Sequence, residues 1–244
     1  MLRGIFCFLV CSVLALTGGA LVIVVSFIRH SEGLNAWVMH VWAIWTLRAA
    51  GAKVIVEGAE RVPDNTPCFY VGNHQSALDI PILLVARRGR AQFLAKESLF
   101  RIPIFGWSCR RAGHLPISRS HPRVTLERLE KMLKRVREHP VSLAAFPEGT
   151  RSPDGRLLPF RKGTMKICQR AGLTLVPFAI SGSFGVHQRG SYRVNPGTVR
   201  IRFADPILPD ELSVLSIDRL LDRVVEAVAG GLDATPPTNG MVAP

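Results

Sequence analysis

The chain has 244 residues, 48% of them hydrophobic, and a formal net charge of +13. That length suits one large α/β domain or two small ones with a sizeable core, and the apolar excess points to a membrane segment. The charge is concentrated, with 14 Lys/Arg against 4 Asp/Glu in residues 86–140. Such a surface suits anionic lipid or an acidic carrier and, lacking aromatic interleaving or a recognised binding motif, argues against nucleic acid.

Residues 5–28 carry no charge, and their 24 residues are enough to cross about 30 Å of hydrocarbon. A signal peptide is the competing reading, but the apolar run continues through Leu21-Val22-Ile23-Val24-Val25, past any plausible cleavage point, which favours a retained anchor. Gly18-Gly19 leaves a bent or re-entrant helix open. Residues 36–50 place Trp37, Trp42 and Trp45 in one short helix, as an interfacial element would; a buried helix of the globular body is the alternative. Residues 1–50 are thus read as an anchor, 51–230 as a catalytic domain, and 231–244, with Pro236, Pro237 and Gly240, as a disordered tail.

The body starts near Lys53, with a short strand at Val54-Ile55-Val56 and a turn around Pro63 and Pro67. Cys68-Phe69-Tyr70-Val71 reads as a buried strand ended by Gly72-Asn73, and Ser76 is placed to cap a helix containing Leu78, Ile82 and Leu83. Residues 92–95 form a strand with Lys96 at its exit, and 102–107 is apolar, turn-rich and of undefined structure. Residues 113–119 bring a short strand to Arg119. Leu126, Leu129, Met132, Leu133 and Val136 then fall at helical spacing over 122–138. Residues 141–146 form a strand running into Pro147-Glu148-Gly149-Thr150-Arg151. A helix to Ala171, strands over 174–180 and 198–203, and a helix over 217–228 complete an α/β fold. Its sheet is expected to be mixed and largely parallel, flanked by helices, with functional residues at strand exits. The five cysteines are odd in number and include no pair at zinc or redox spacing, so they read as reduced, mostly buried small apolar residues.

Three exits carry the chemistry. On one straight helix, an offset of five turns side chains roughly 140° apart, so His74 and Asp79 can meet only if a turn precedes the helix. A carboxylate there would fix one ring nitrogen as donor and leave the other as proton acceptor; the plain alternative is a turn-capping histidine with Asp79 on a solvated face. Arg119, and Glu148 with Thr150 and Arg151, supply guanidinium groups suited to bidentate phosphate binding.

These residues resemble the glycerolipid acyltransferases, most closely the 1-acylglycerol-3-phosphate (lysophosphatidic acid) acyltransferases, over residues 54–182. Asn73-His74-Gln75-Ser76-Ala77-Leu78-Asp79 is similar to the family's Asn-His-x4-Asp block, and Phe146-Pro147-Glu148-Gly149-Thr150-Arg151-Ser152 to its Glu-Gly-Thr-Arg block. Residues 113–119 resemble the block that ends in Arg, with Pro116 where an aromatic is usual and Ser118 where Asp is common. Val176-Pro177 with Ile180-Ser181-Gly182 matches the fourth.

The resemblance implies transfer of a fatty acyl group from acyl-CoA or acyl carrier protein to the sn-2 hydroxyl of lysophosphatidic acid. His74 would be the base and Asp79 its orienting partner, with no acyl-enzyme. Arg119 and Arg151, with Glu148, Gly149 and Thr150 shaping the loop, would hold the acceptor's phosphate; Lys96 joins them by position. No cofactor or metal is implied. The partners are the two substrates and the membrane, with the catalytic domain expected on the cytoplasmic face of the inner membrane. Acylation of another lyso-lipid, such as a lyso-ornithine lipid or lysophosphatidylglycerol, is the nearer alternative; a non-catalytic lipid-binding protein is the more distant one.

Overall fold

A computed structural model describes residues 2–28, 32–64, 66–117, 122–138 and 141–233. Arg119 and the tail beyond residue 233 lie outside the described residues. In chain order the elements are α1 (Leu2–Ile28), α2 (Glu32–Ala50), β1 (Ala52–Glu57), β2 (Cys68–Gly72), α3 (Asp79–Ala86), β3 (Gln92–Lys96), α4 (Phe105–Arg111), β4 (Leu115–Ile117), α5 (Pro122–Glu138), β5 (Leu143–Ala145), α6 (Lys162–Ala171), β6 (Thr174–Ser181), α7 (Ser183–Val186), β7 (Gly197–Phe203), α8 (Pro209–Val214) and α9 (Ile217–Gly231). Single 3-10 turns follow β1 and β3.

The strands form one sheet in the order β1-β7-β6-β2-β5-β3-β4, parallel throughout except for the antiparallel β6/β7 pair. Helices cover both faces, which is why β2 and β6 read as unbroken apolar runs and are buried at every position. On one face Tyr70, Phe178 and Ile180 pack with Ile82, Leu83 and Leu84 of α3 and with Ala43, Leu47 and Ala50 of α2. On the other, Phe69, Val71, Leu143 and Leu175 meet Leu129 and Leu133 of α5, Met165 and Cys168 of α6, and Leu220 and Val224 of α9. The period of two along each strand sorts its side chains between these layers.

One local expectation is corrected. Ser76 does not cap the helix: α3 starts at Asp79, and the Ser76 hydroxyl accepts from Leu78 N–H while donating to the carbonyl of His187, 2.7 Å away. The apolar, turn-rich stretch at 102–107 follows a 3-10 turn ending at Arg101 and resolves into turn residues at 102–104 and the start of α4.

Among the described residues, one helix is long and apolar enough to cross a membrane, at Leu2–Val25. It is unbroken through Gly18-Gly19, because these glycines face neighbours rather than bend the chain. A Cβ on Gly18 would lie 2.9 Å from Val38 of α2, and one on Gly19 would lie 3.0 Å from the Ser108 hydroxyl of α4. The other side of α1 presents Phe8, Leu9, Val13 and Leu16 outward. Helix α2 divides its side chains between environments, burying Ala43 and Leu47 while Trp37 and Trp45 remain exposed.

Candidate active site

β5, β2 and β6 lie side by side and parallel, so the loops that follow them open on one edge of the sheet. Asn73, the first residue past β2, extends the ladder with its side chain: the amide donates to the Ile180 carbonyl at 2.9 Å and accepts from Ile180 N–H at 2.7 Å. His74 is therefore projected from the last fixed point of the central strand.

Its backbone is held by the loop after β5. The His74 N–H donates to Glu148 Oε1 at 2.9 Å, and its carbonyl accepts from Ser152 N–H at 2.8 Å. The imidazole stacks on Phe146, with centroids 4.2 Å apart and planes 16° from parallel. Phe146 in turn rests on Phe93 and, edge-on, on Phe178. A ring supported from below and tethered at its backbone has little freedom to rotate.

Nδ1 of that ring is 2.8 Å from Asp79 Oδ2. The same oxygen accepts from the backbone N–H groups of Gln75 and Ser76, at 2.7 and 2.8 Å. The turn at 74–78 thus folds around the carboxylate, which overcomes the 140° separation that a straight helix would impose. Because a carboxylate only accepts, Nδ1 carries the proton and Nε2 is left with its lone pair. The His74 side chain is 15% exposed and that of Asp79 not at all, so an incoming molecule meets the imidazole and not the acid.

Glu148 is buried beside this pair. Burial, reinforced by the charge of Asp79, pushes its carboxyl up to about 8, against the opposing pull of the His74 N–H bond. Among the described residues, Oε2 of Glu148 and Oδ1 of Asp79 are buried with no hydrogen-bond partner. Gly149 takes a left-handed conformation, φ 69°, which lets the chain reverse between Glu148 and Thr150.

The loop after β6 closes the other side. Arg189 donates to Thr150 Oγ1 at 3.1 Å and to the Arg151 carbonyl at 3.4 Å. His187 lies near enough to Arg151 for that positive charge, after burial, to hold its pKa below the ordinary histidine value. Among the described residues, no carboxylate forms an ion pair with the Arg151 guanidinium. Lys96 ends β3 on the same edge, exposed, beside Ile117 of β4, the strand that leads toward Arg119.

The structure therefore brings His74, Asp79 and Glu148 into direct contact, with Gly149, Thr150 and Arg151 on the same loop; Lys96 shares the edge without touching them. Sequence reasoning missed Phe146 as the ring's support and missed His187 and Arg189. The only hint of the latter two was a basic stretch just past the exit at Gly182.

An almost wholly apolar cavity of about 120 Å³ lies between α1, α2, β3 and α4, with Gly19, Trp42, Ile80, Phe93 and Phe100 among its walls. It is adjacent to the site, since Ile80 follows Asp79 and Phe93 supports Phe146. Cys109 also lines it; burial pushes this thiol up to about 12, so it stays protonated at neutral pH. Among the described residues, no group of three or more His, Cys, Asp or Glu is arranged to hold a metal.

The description "Acyltransferase" fits residues 53–181 as a family model. A chloroplastic 1-acyl-sn-glycerol-3-phosphate acyltransferase of Brassica napus is 34% identical over 236 residues, covering 93% of this chain and 67% of that protein. One from Arabidopsis thaliana is 37% identical over 165 residues, covering 67% of this chain and 46% of the relative. The chain thus spans about half to two thirds of the length of these curated relatives. Among solved structures, the 1-acyl-sn-glycerophosphate (LPA) acyltransferase of Thermotoga maritima superposes with a TM-score of 0.81 at 26% identity, covering 94% of this chain and 93% of that one.

Proposed function

The chain belongs to the acyltransferase family, and from that premise we propose that it transfers a fatty acyl group from an acyl thioester to the sn-2 hydroxyl of 1-acyl-glycerol-3-phosphate, giving phosphatidic acid. The observation that carries this reading is the His74–Asp79 contact, which leaves an imidazole nitrogen free to accept a proton at a partly exposed position. As the acceptor hydroxyl attacks the thioester carbonyl, Nε2 of His74 takes its proton and Asp79 stabilises the imidazolium. The leaving thiolate then recovers that proton. Attack is direct, so no protein nucleophile is needed, and no metal or cofactor takes part.

Arg151 is assigned to the acceptor's phosphate, with Thr150 and Gly149 shaping its loop and Glu148 fixing the His74 backbone. Arg119 and Lys96, at the exits of β4 and β3, are assigned to the same anion. The apolar cavity beside Phe93 and Ile80 is assigned to the acyl chain, whose transfer out of water is worth about 0.8 kcal/mol per methylene.

Helix α1 supports residence at the membrane. The body touches it at two points along its length: a Cβ on Gly4 would lie 1.9 Å from the Tyr192 carbonyl, and Gly19 abuts Ser108. These points are roughly 22 Å apart along a helix. A full crossing would carry the polar body into hydrocarbon, so α1 is assigned to one leaflet, its outward face among the acyl chains. The basic body is assigned to the cytoplasmic side of the inner membrane, with coenzyme A or an acyl carrier protein bringing the acyl group.

An acceptor panel tests the proposal. The full chain in lipid vesicles, given labelled acyl-CoA, should acylate 1-acyl-glycerol-3-phosphate well ahead of lysophosphatidylglycerol or a lyso-ornithine lipid. Preference for the phosphate-free lyso-ornithine lipid would overturn the assignment of acceptor.

A further inference from the structure

A second cavity, of about 350 Å³, lies at the opposite edge of the sheet, where β2, β5, β3 and β4 begin. Tyr70 of β2 lines it, whereas His74 follows the other end of the same strand. The remaining walls come from the start of α2, the turn after α3, Gln92, His114 and Ser142.

Its chemistry is one-sided. Arg87 and Arg90 line it, and among the described residues no Asp or Glu does. The Arg87 guanidinium is set over the rings of Tyr70 and Phe203, at 5.5 and 5.9 Å from their centroids, so its position is fixed. Among the described residues, neither arginine forms an ion pair with a carboxylate. Tyr70 is 1% exposed and Gln92 9%. Burial pushes the Tyr70 hydroxyl up to about 12, so it keeps its proton. His114 accepts from Phe93 N–H through Nδ1, and burial pulls it down to about 4. It is therefore neutral, with its hydrogen on Nε2. Ser142 Oγ accepts from Cys68 N–H and hydrogen-bonds the Tyr70 hydroxyl, which the Arg87 guanidinium also meets.

The backbone holds this set in place. Arg88 and Gly89 are both left-handed, at φ 49° and 75°, between the two cavity arginines. A Cβ on Gly89 would lie 1.9 Å from the Ala36 carbonyl, so the turn is locked against α2. Two guanidinium groups and the hydrogen-bonded Tyr70–Ser142 hydroxyl pair, with Gln92 and His114, thus line a common space in which no carboxylate stands among the described residues. A group whose oxygens only accept, and which carries negative charge, completes such a set.

We propose that this cavity is an anion site, separate from the active site, that holds a phosphate group between Arg87, Arg90, Tyr70 and Ser142. It lies at the α2 end of the α1/α2 pair, so a phospholipid headgroup and a free phosphate are the two sources of such a group. Met39, Ala112 and His114 line both this cavity and the apolar one, so a bound anion shares a wall with the apolar cavity.

The test uses the full chain in phosphatidylcholine nanodiscs, titrated with inorganic phosphate, and in nanodiscs into which phosphatidylglycerol is mixed. The unfolding midpoint is followed in each. A rise with inorganic phosphate in neutral discs identifies a free phosphate as the source; a rise only with phosphatidylglycerol identifies a headgroup. Arg87→Gln with Arg90→Gln should weaken the apparent affinity about tenfold or more, the loss expected for charge-assisted hydrogen bonds. Ser142→Asp, which sets a carboxylate among the donors but still accepts from Cys68, should do the same. Arg61→Gln with Arg170→Gln removes equal charge from exposed positions elsewhere and should leave the affinity unchanged. If Arg87→Gln does not fold, Arg90→Gln and Ser142→Asp alone decide. Absence of any rise, or equal loss in the control pair, would overturn the proposal.

Discussion

The imidazole of His74 is useful only if its Nδ1 proton stays put, and this depends on one oxygen of Asp79 that also organises the turn. In Asp79→Asn the amide oxygen must still serve the two backbone N–H groups, but without charge to stabilise an imidazolium. Turnover should fall by roughly 10²–10⁴ while the unfolding midpoint shifts little, since the turn keeps its acceptor. Kinetics and thermal unfolding of the purified variant check this together; an unchanged kcat would remove Asp79 from the mechanism. Glu148 makes a pH prediction. Its folded pKa of about 8 stands above the ordinary carboxyl value of 4.5, so the native state binds the extra proton. Stability contributed by this group is complete below pH 4.5 and declines as pH rises toward 8. Glu148→Gln keeps an oxygen for His74 N–H and cannot ionise. It should match the parent near pH 5 and be more stable near pH 9 by on the order of a few kcal/mol, read from denaturant unfolding at both pH values.

At the scale of elements, the site depends on three adjacent strands ending together. The His74–Asp79 pair was legible in the sequence because it is local: five residues, a strand terminator and a helix start leave few other arrangements. The pairing of the β2 and β5 exits was legible only through the resemblance. What stayed hidden is carried by long-range contacts with no local signature, such as Phe146 under the imidazole and Arg189 across to Thr150. Ser76 was misread as a cap because the rule for helix starts does not know that a carboxylate three residues later satisfies the turn's N–H groups. The loops predict a division of labour. Arg151→Ala should raise the acceptor KM by about tenfold or more with a small change for the thioester, and steady-state kinetics with each substrate varied separates the two. An effect confined to the thioester would detach Arg151 from the acceptor's phosphate.

For the whole molecule, α1 and α2 have different standing. Helix α2 supplies Ala43, Leu47 and Ala50 to the core beneath Tyr70 and Ile180. Helix α1 lies on the outside with an apolar face turned outward. The sequence set residues 5–28 apart as long enough to cross a membrane but left residues 36–50 between an interfacial helix and a buried helix of the body; packing against β1 and α3 places α2 with the body. Deleting residues 1–28 should therefore shift the protein from membranes toward the soluble fraction while its circular dichroism stays native. Deleting 1–50 should cost the fold, since removing buried aliphatic side chains costs about 2–5 kcal/mol each. Fractionation and circular dichroism of the two truncations decide it; equal, native behaviour of both would contradict the distinction.

The central claim is that one imidazole takes the proton from a lipid hydroxyl. It is tested most directly by the rate of phosphatidic acid formation from acyl-CoA and 1-acyl-glycerol-3-phosphate, in vesicles, for the parent and for His74→Ala at equal folded concentration. His74→Ala should lower kcat by roughly 10²–10⁴ with an unchanged unfolding midpoint; a variant that turns over at the parent rate would contradict the role of this imidazole.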